Sequence, residues 1–327
     1  MKHLRPTTCL LLVLSALGLG TGCAGFRAAN QPLAQWNPDY GYRPSNLLEE
    51  RGASRVLLVL AFSGGGTRAA ALSYGVLQEL RDTTITIDGQ PVRLLDEVDM
   101  ITSVSGGSFT AAYYGLHGDG IFETFEDRFL RRDVQTRLIL GLLRPVNWFR
   151  LAGSGFDRTE LAIRYYDDRI FDHATFAQLL AAKGPLLQIN ATDLAAGRHF
   201  TFSQPIFDLL CSDLSSFPVA RAVAASSAVP VAFSPIPPPN YAGAFRFERP
   251  AFLDDALHQR RTNPRRFRIA KIVEGYLDAG ERPYIHLLDG GISDNIGLRV
   301  LLENGLLPGG VVQRPQELSL DHIDRLA

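Results

Sequence analysis

Apolar positions fall into short continuous runs separated by longer stretches with helical spacing. RVLLVLAF (Arg55–Phe62) is an unbroken apolar run of strand length, partly β-branched, which predicts a strand buried on both faces. It stops at SGGGTR, and the AAALSYGVLQELRD that follows has helical composition and apolar spacing. The order then repeats. EVDMIT leads into SVSGGSF (Ser103–Phe109), and FTAAYYGLHG is the next helix candidate. PLLQINATDL and PYIHLLDGG are two further apolar runs that end in polar residues and glycine. Strands alternating with helices predict an α/β fold with a mostly parallel sheet. In such sheets the residues just past the strand C-termini tend to build the site.

Two segments break the alternation. Residues 122–176 contain RLILGLLRPVNWFRL, where Leu138, Ile139, Leu142, Leu143, Trp148 and Phe149 stand beside Arg137, Arg144 and Arg150. That mixture fits a helix packed over the sheet, with a lid at a membrane interface as the other reading. Pro145 argues against one unbroken helix. Residues 235–283 carry PIPPPNYAG and the basic HQRRTNPRRFR. Long connections of this kind in a compact domain are often lids or binding loops.

The N-terminus has a different character. Lys2 and Arg5 precede CLLLVLSALGLG, too short for a comfortable membrane span, and TGCAG follows. This is the layout of a secretory signal peptide over residues 1–22. Gly20-Thr21-Gly22-Cys23 is similar to a bacterial lipobox, with Cys23 as the lipidated residue, although Leu19 sits four positions before the cysteine rather than three. Ordinary signal-peptidase cleavage and an uncleaved anchor are the alternatives. Residues 23–54, rich in Pro, Asn, Gln and Gly, read as a tether to a catalytic domain over 55–327. The expected location is outside the cytoplasm, as an outer-membrane lipoprotein facing periplasm or surface.

Composition narrows the function classes. A hydrophobic fraction of 46% with 20% charged residues is that of a globular chain, so global disorder is not the reading. A formal net charge of -1 gives no electrostatic case for nucleic acid. Three cysteines, Cys9, Cys23 and Cys211, make no disulfide framework, and no Cys/His spacing is that of a zinc site. Cys211 reads as a small buried apolar residue.

The candidate chemistry lies at three glycine-flanked strand ends. In SGGGTR the glycines can turn several N–H groups into one space at a helix N-terminus, which suits a phosphate, an oxyanion or merely a packing turn. Neither the dinucleotide fingerprint nor the P-loop is matched. SVSGG fits the nucleophile-elbow pattern, with Ser105 between strand and helix and Ser103 in place of the first glycine; a plain Gly-Ser turn is the other reading. In LLDGGISDNIGLR, Asp289 ends an apolar run, as a catalytic carboxylate or as an Asx-turn residue.

Together these motifs resemble the patatin-like phospholipases. The order Gly-Gly-Gly-x-Arg, serine elbow, Asp-Gly-Gly is similar above all to the branch that includes the calcium-dependent cytosolic phospholipases. NATDLAAGRHFTFS and ARAVAASSAVPVAFSPI also look like blocks of that family, so the resemblance runs from Val56 to Arg299. It implies a three-layer sandwich with helices on both faces of the sheet. It makes Ser105 the nucleophile, Asp289 its dyad partner, Gly64, Gly65 and Gly66 the oxyanion hole, and Arg68 a residue near the substrate phosphate or that hole. It further implies no cofactor, no metal, and a phospholipid or other acyl-ester substrate met at a membrane surface.

Two other classes stay open on the residues. An α/β-hydrolase triad has the chain order Ser, acid, His, which leaves only His322 as base. A non-catalytic lipid-binding envelope lipoprotein would use the same scaffold without turnover.

Overall fold

Two of the apolar runs become strands with no exposed residue at all. In the computed structural model, which describes residues 30–48, 57–133, 158–230, 233–245, 247 and 249–301, β4 (Val98–Val104) and β5 (Leu186–Asp193) are buried at every position. Continuous apolar runs without alternation are what a central parallel strand requires. Their neighbour β1 (Leu58–Phe62) pairs parallel with β4, placing Phe62 opposite Ser103. β4 in turn pairs parallel with β5, placing Val104 opposite Asn190. β1 and β4 therefore finish almost level, while β5 runs three residues further, to Asp193.

The outer additions run the other way. β6 (Arg198–Thr201) folds back antiparallel on β5. β7 (Leu287–Leu288) is only two residues long and also antiparallel, with Leu288 opposite Thr192 and Leu287 opposite Asp193. Thr192 and Asp193 already pair with β6 on one side. A strand has two hydrogen-bonding edges, so β7 occupies the edge that β4 vacates after Val104. Running antiparallel to β5, it carries Asp289 toward the end of β4. A hairpin, β2 (Thr84–Ile87) with β3 (Gln90–Arg93), forms a separate small sheet.

The helices follow from the same sequence signals. α1 (Gly66–Asp82) leaves the glycine run, and α2 (Gly106–His117) leaves the serine turn and is buried from Gly106 to Gly115. Phe109 on α2 stacks on Phe129 at 4.5 Å and meets Tyr166 edge-on at 4.9 Å. Phe125, Phe129, Ile170 and Phe171 are buried in the same core. Both described flanks of the segment read as a lid or insertion are thus packing elements. Its centre, residues 134–157 with Trp148 and Phe149, lies outside the described residues, as do residues 1–29 with Cys23.

The basic patch is likewise structured. Asn263 caps a helix by accepting the Arg266 N–H at 3.1 Å, and Pro264 supplies the preset first residue. The helix it starts, Pro264–Tyr276, buries Ile269, Ala270, Val273 and Tyr276. No helix among the described residues is long and apolar enough to cross a membrane.

One boundary differs from the sequence reading. Residues 30–48, taken as part of a tether, lie against the body. Leu33, Tyr42 and Leu47 are buried, and Pro32 bridges to Ser212. The polar composition hid this because the anchoring residues are few and widely spaced. Cys211 is a buried free thiol, as expected.

Candidate active site

β4 ends at Val104 and α2 begins at Gly106, so Ser105 alone makes the turn between them. It does so at φ 50° and ψ −119°. A side chain with a Cβ resists that region, and holding it there costs about 1–3 kcal/mol. Such strain survives only where the surroundings fix it. Here they do: the Ser105 N–H donates to Ser226 Oγ at 2.8 Å, and the Ser108 N–H donates to Ser105 O at 3.0 Å.

The glycines after Ser105 are there for contact. A Cβ on Gly106 would stand 2.0 Å from the carbonyl oxygen of Gly66, and one on Gly107 would stand 2.6 Å from that of Phe62. The start of α2 is therefore pressed against the backbone of the glycine loop. Gly106→Ala is expected to push the two apart, cost about 1–3 kcal/mol in thermal unfolding and lose most turnover. Gly75→Ala, in the middle of α1 with nothing within 4 Å, is expected to gain up to about 1 kcal/mol instead. Equal effects of the two on melting would refute the close-contact account.

Asp289 meets Ser105 across the vacated edge of β5. Ser105 Oγ donates to Asp289 Oδ2 at 2.9 Å, while the Gly291 N–H donates to Oδ1 at 2.7 Å. The main chain is pinned as well. The Asp289 N–H donates to Ala228 O at 2.9 Å, and Thr192 Oγ1 donates to Asp289 O at 2.8 Å. Ser105 is 7% and Asp289 8% exposed, so each keeps a narrow opening to solvent. Burial raises the pKa of Asp289 above the ordinary aspartate value, opposed by the hydrogen bonds from Gly291 and Ser105. A carboxylate with raised proton affinity, bonded to a serine hydroxyl, is equipped to take that proton.

The glycine loop lies beside this pair, a Cβ on Gly64 falling 3.3 Å from Ser105 Cβ. Its three amides are not equivalent. The Gly64 N–H donates to Asn295 O at 2.9 Å, so it is not available to an oxyanion, contrary to expectation. The N–H groups of Gly65 and Gly66 have no acceptor among the described residues, and they open α1, where the helix dipole adds positive potential. Gly65 at φ 145° and Gly66 at φ 64° need the freedom of glycine. Arg68, in the first turn of α1, is exposed with no side-chain partner among the described residues.

Sequence reasoning missed the supporting cast. Asn190 reaches from β5 to donate to Thr102 Oγ1 at 2.9 Å and to Ser103 O at 3.2 Å, tying the strand beneath Ser105 in place. Ser103, in the position where the elbow pattern has glycine, is fully buried, its Oγ accepting from Ser108 Oγ at 3.1 Å. Asn295 was within a quoted motif, six residues after Asp289, but nothing in one sequence marks its carbonyl as the lock on Gly64.

No histidine among the described residues bonds to Ser105 or Asp289, whose partners are each other, Gly291 and the backbone contacts above. His322 lies outside the described residues.

No curated protein matches the chain in a sequence comparison. A family model does: patatin-like phospholipase, over residues 60–302, a span that takes in the glycine loop, Ser105, Ser226 and Asp289. On that match the chain belongs to the patatin-like phospholipase family, and it is a lipid acyl hydrolase.

Proposed function

We propose that the protein hydrolyses fatty-acyl esters of phospholipids or lysophospholipids through a Ser105–Asp289 dyad and an acyl-enzyme. The observation that carries this reading is the 2.9 Å hydrogen bond from Ser105 Oγ to Asp289 Oδ2, at a strained turn beside two glycine amides with no acceptor among the described residues. Ser105 Oγ attacks the ester carbonyl carbon as its proton passes to Asp289 Oδ2. The carbonyl oxygen takes the electron pair and is held by the N–H groups of Gly65 and Gly66, each such donor being worth about 2.7–4 kcal/mol. Collapse expels the alcohol oxygen, which takes the proton from Asp289. Water then attacks the acyl-serine, giving its proton to Asp289, and the fatty acid leaves as the proton returns to Ser105. Arg68, exposed at the start of α1, would meet a phosphate-bearing head group.

A fluorophosphonate probe tests the reading directly. It is expected to label wild type at Ser105, and Ser105→Ala is expected to lose both labelling and turnover of a chromogenic acyl ester while melting as wild type does. Label on another serine, or retained turnover, would sink the dyad.

The same proposal places the enzyme at a membrane through a lipid on Cys23. Asn30 is tied to the body by its side-chain hydrogen bond to Ser212 Oγ at 2.6 Å, and seven chain steps separate it from Cys23. Fully extended they span about 25 Å, which keeps the catalytic body close to the bilayer. Cys23→Ser is expected to move the protein from the membrane to the soluble fraction or leave it unprocessed. Wild type found soluble in the periplasm would refute the anchor.

A further inference from the structure

One short segment, Ser226–Ala228, touches both halves of the proposed dyad. Ser226 is the last residue of α3 (Val219–Ser226) and is fully buried. Its Oγ accepts the Ser105 N–H at 2.8 Å and donates to Asn190 O at 2.6 Å. Its carbonyl oxygen accepts the Gly290 N–H at 3.0 Å, and two residues on, Ala228 O accepts the Asp289 N–H at 2.9 Å. A helix leaves its last carbonyls without intrahelical donors, so the Ser226 oxygen is free to receive an N–H of an incoming segment, and Ala228, just past the helix end, offers its carbonyl beside it. The donors that arrive are the backbone of Asp289 and its neighbour.

We propose that Ser226 is the positioning residue of the active site, its hydroxyl holding the Ser105 backbone in its strained turn while the adjoining carbonyls hold Asp289 in register. Ser105 and Asp289 stand 184 residues apart in sequence. Neither is fixed to the other except through the reacting hydrogen bond itself. The segment Ser226–Ala228 gives them a shared reference, and the bond from Ser226 Oγ to Asn190 O ties that reference to the central strand. The Ser105 N–H is consumed in the process, which leaves the developing oxyanion to the glycine loop. Ser226 does not touch the substrate; it acts through Ser105. The inference rests on the Ser105–Asp289 reading.

The test is steady-state kinetics on a soluble short-chain ester, with fluorophosphonate labelling followed in time. Removing the hydroxyl in Ser226→Ala frees the Ser105 N–H from its acceptor. A displacement of about 1 Å at a reacting atom costs about 10²-fold. Ser226→Ala is therefore expected to lower kcat by about 10–100-fold with KM within about twofold, and to slow labelling by the same factor while still reaching full stoichiometry. Ser226→Thr and Ser226→Val fill the same volume and differ in the hydroxyl alone. The Thr variant is expected to exceed the Val variant in kcat by at least about tenfold, whatever the packing cost that both share.

Equal kcat in Thr and Val would overturn the proposal, and so would wild-type kcat in Ser226→Ala. A reduced labelled fraction with an unchanged rate per labelled molecule would also overturn it, because that is loss of fold rather than of positioning. Ser105→Ala separates the two levels of inference. If it is inactive while Ser226→Ala is normal, only the positioning role fails; if it retains turnover, the dyad fails first.

Discussion

Asp289→Asn is expected to stop ester turnover and leave the protein at least as stable as wild type. Asparagine keeps an oxygen for the Gly291 N–H but cannot take the serine proton. Neutralising the acid of a serine-hydrolase constellation costs about 10⁴-fold in kcat, and the loss should be no smaller where that acid is itself the base. The stability forecast follows from the direction of the pKa shift. Burial raises the Asp289 pKa in the folded state. Such a group contributes stability that is complete below its unfolded value, about 3.9, and is lost as pH rises through the folded value. At neutral pH the folded protein therefore carries the carboxylate in the form that burial disfavours. Removing the charge is therefore expected to raise Tm or leave it unchanged. The same shift places the acid limb of the wild-type kcat/KM profile above about 3.9. Turnover in Asp289→Asn within tenfold of wild type would remove Asp289 from the chemistry. An acid limb at or below the ordinary aspartate range would show that its burial does not set the working pH.

How much of this was legible in the sequence depended on whether a feature is local. The parallel strands were legible because β4 and β5 are buried on both faces, so every position had to be apolar or internally bonded. The elbow was legible because Gly106 and Gly107 permit a backbone approach that any side chain would block. Asp289 was found through its motif, yet the reason it reaches Ser105 was not: β7 is two residues long, antiparallel, and works by taking a vacated edge. No periodicity exists in two residues. The glycine loop reads as three equivalent amides in the sequence, but Gly64 directs its N–H to a carbonyl 231 positions along the chain. Ser226 lies within ARAVAASSAVPVAFSPI, but a serine at a helix end has many ordinary uses and its partners are remote in sequence.

The tether boundary fails for the same reason, and it carries the largest stability effect. A protein beginning at residue 55 is expected not to fold, whereas one beginning at residue 24 is expected to melt cooperatively. Tyr42 is 1% exposed and stands edge-on to Phe176 at 5.4 Å. Its hydroxyl accepts the Leu187 N–H at 2.7 Å, satisfying β5 before β6 begins to pair, and its carbonyl accepts the Gln204 N–H at 2.8 Å. Beside it, Arg43 donates to Asp208 Oδ2 at 3.0 Å, with both side chains buried. Burial raises the Asp208 pKa even against the opposing pull of Arg43, so this carboxylate depends on its cation. Removing one partner of a buried pair costs about 3–5 kcal/mol. Emptying a large aromatic site costs about 3–5 kcal/mol more. The two together are of the order of the whole stability of a domain, about 5–15 kcal/mol. Arg43→Ala alone is expected to lower the urea midpoint strongly, and Asp208→Asn in that background to restore part of the loss by removing the stranded charge. Cooperative melting of the chain that starts at residue 55, within a few degrees of the longer one, would show that residues 30–48 are an attachment to the fold. Failure to melt cooperatively, with recovery in the chain that starts at residue 24, would make them the first element of the catalytic body.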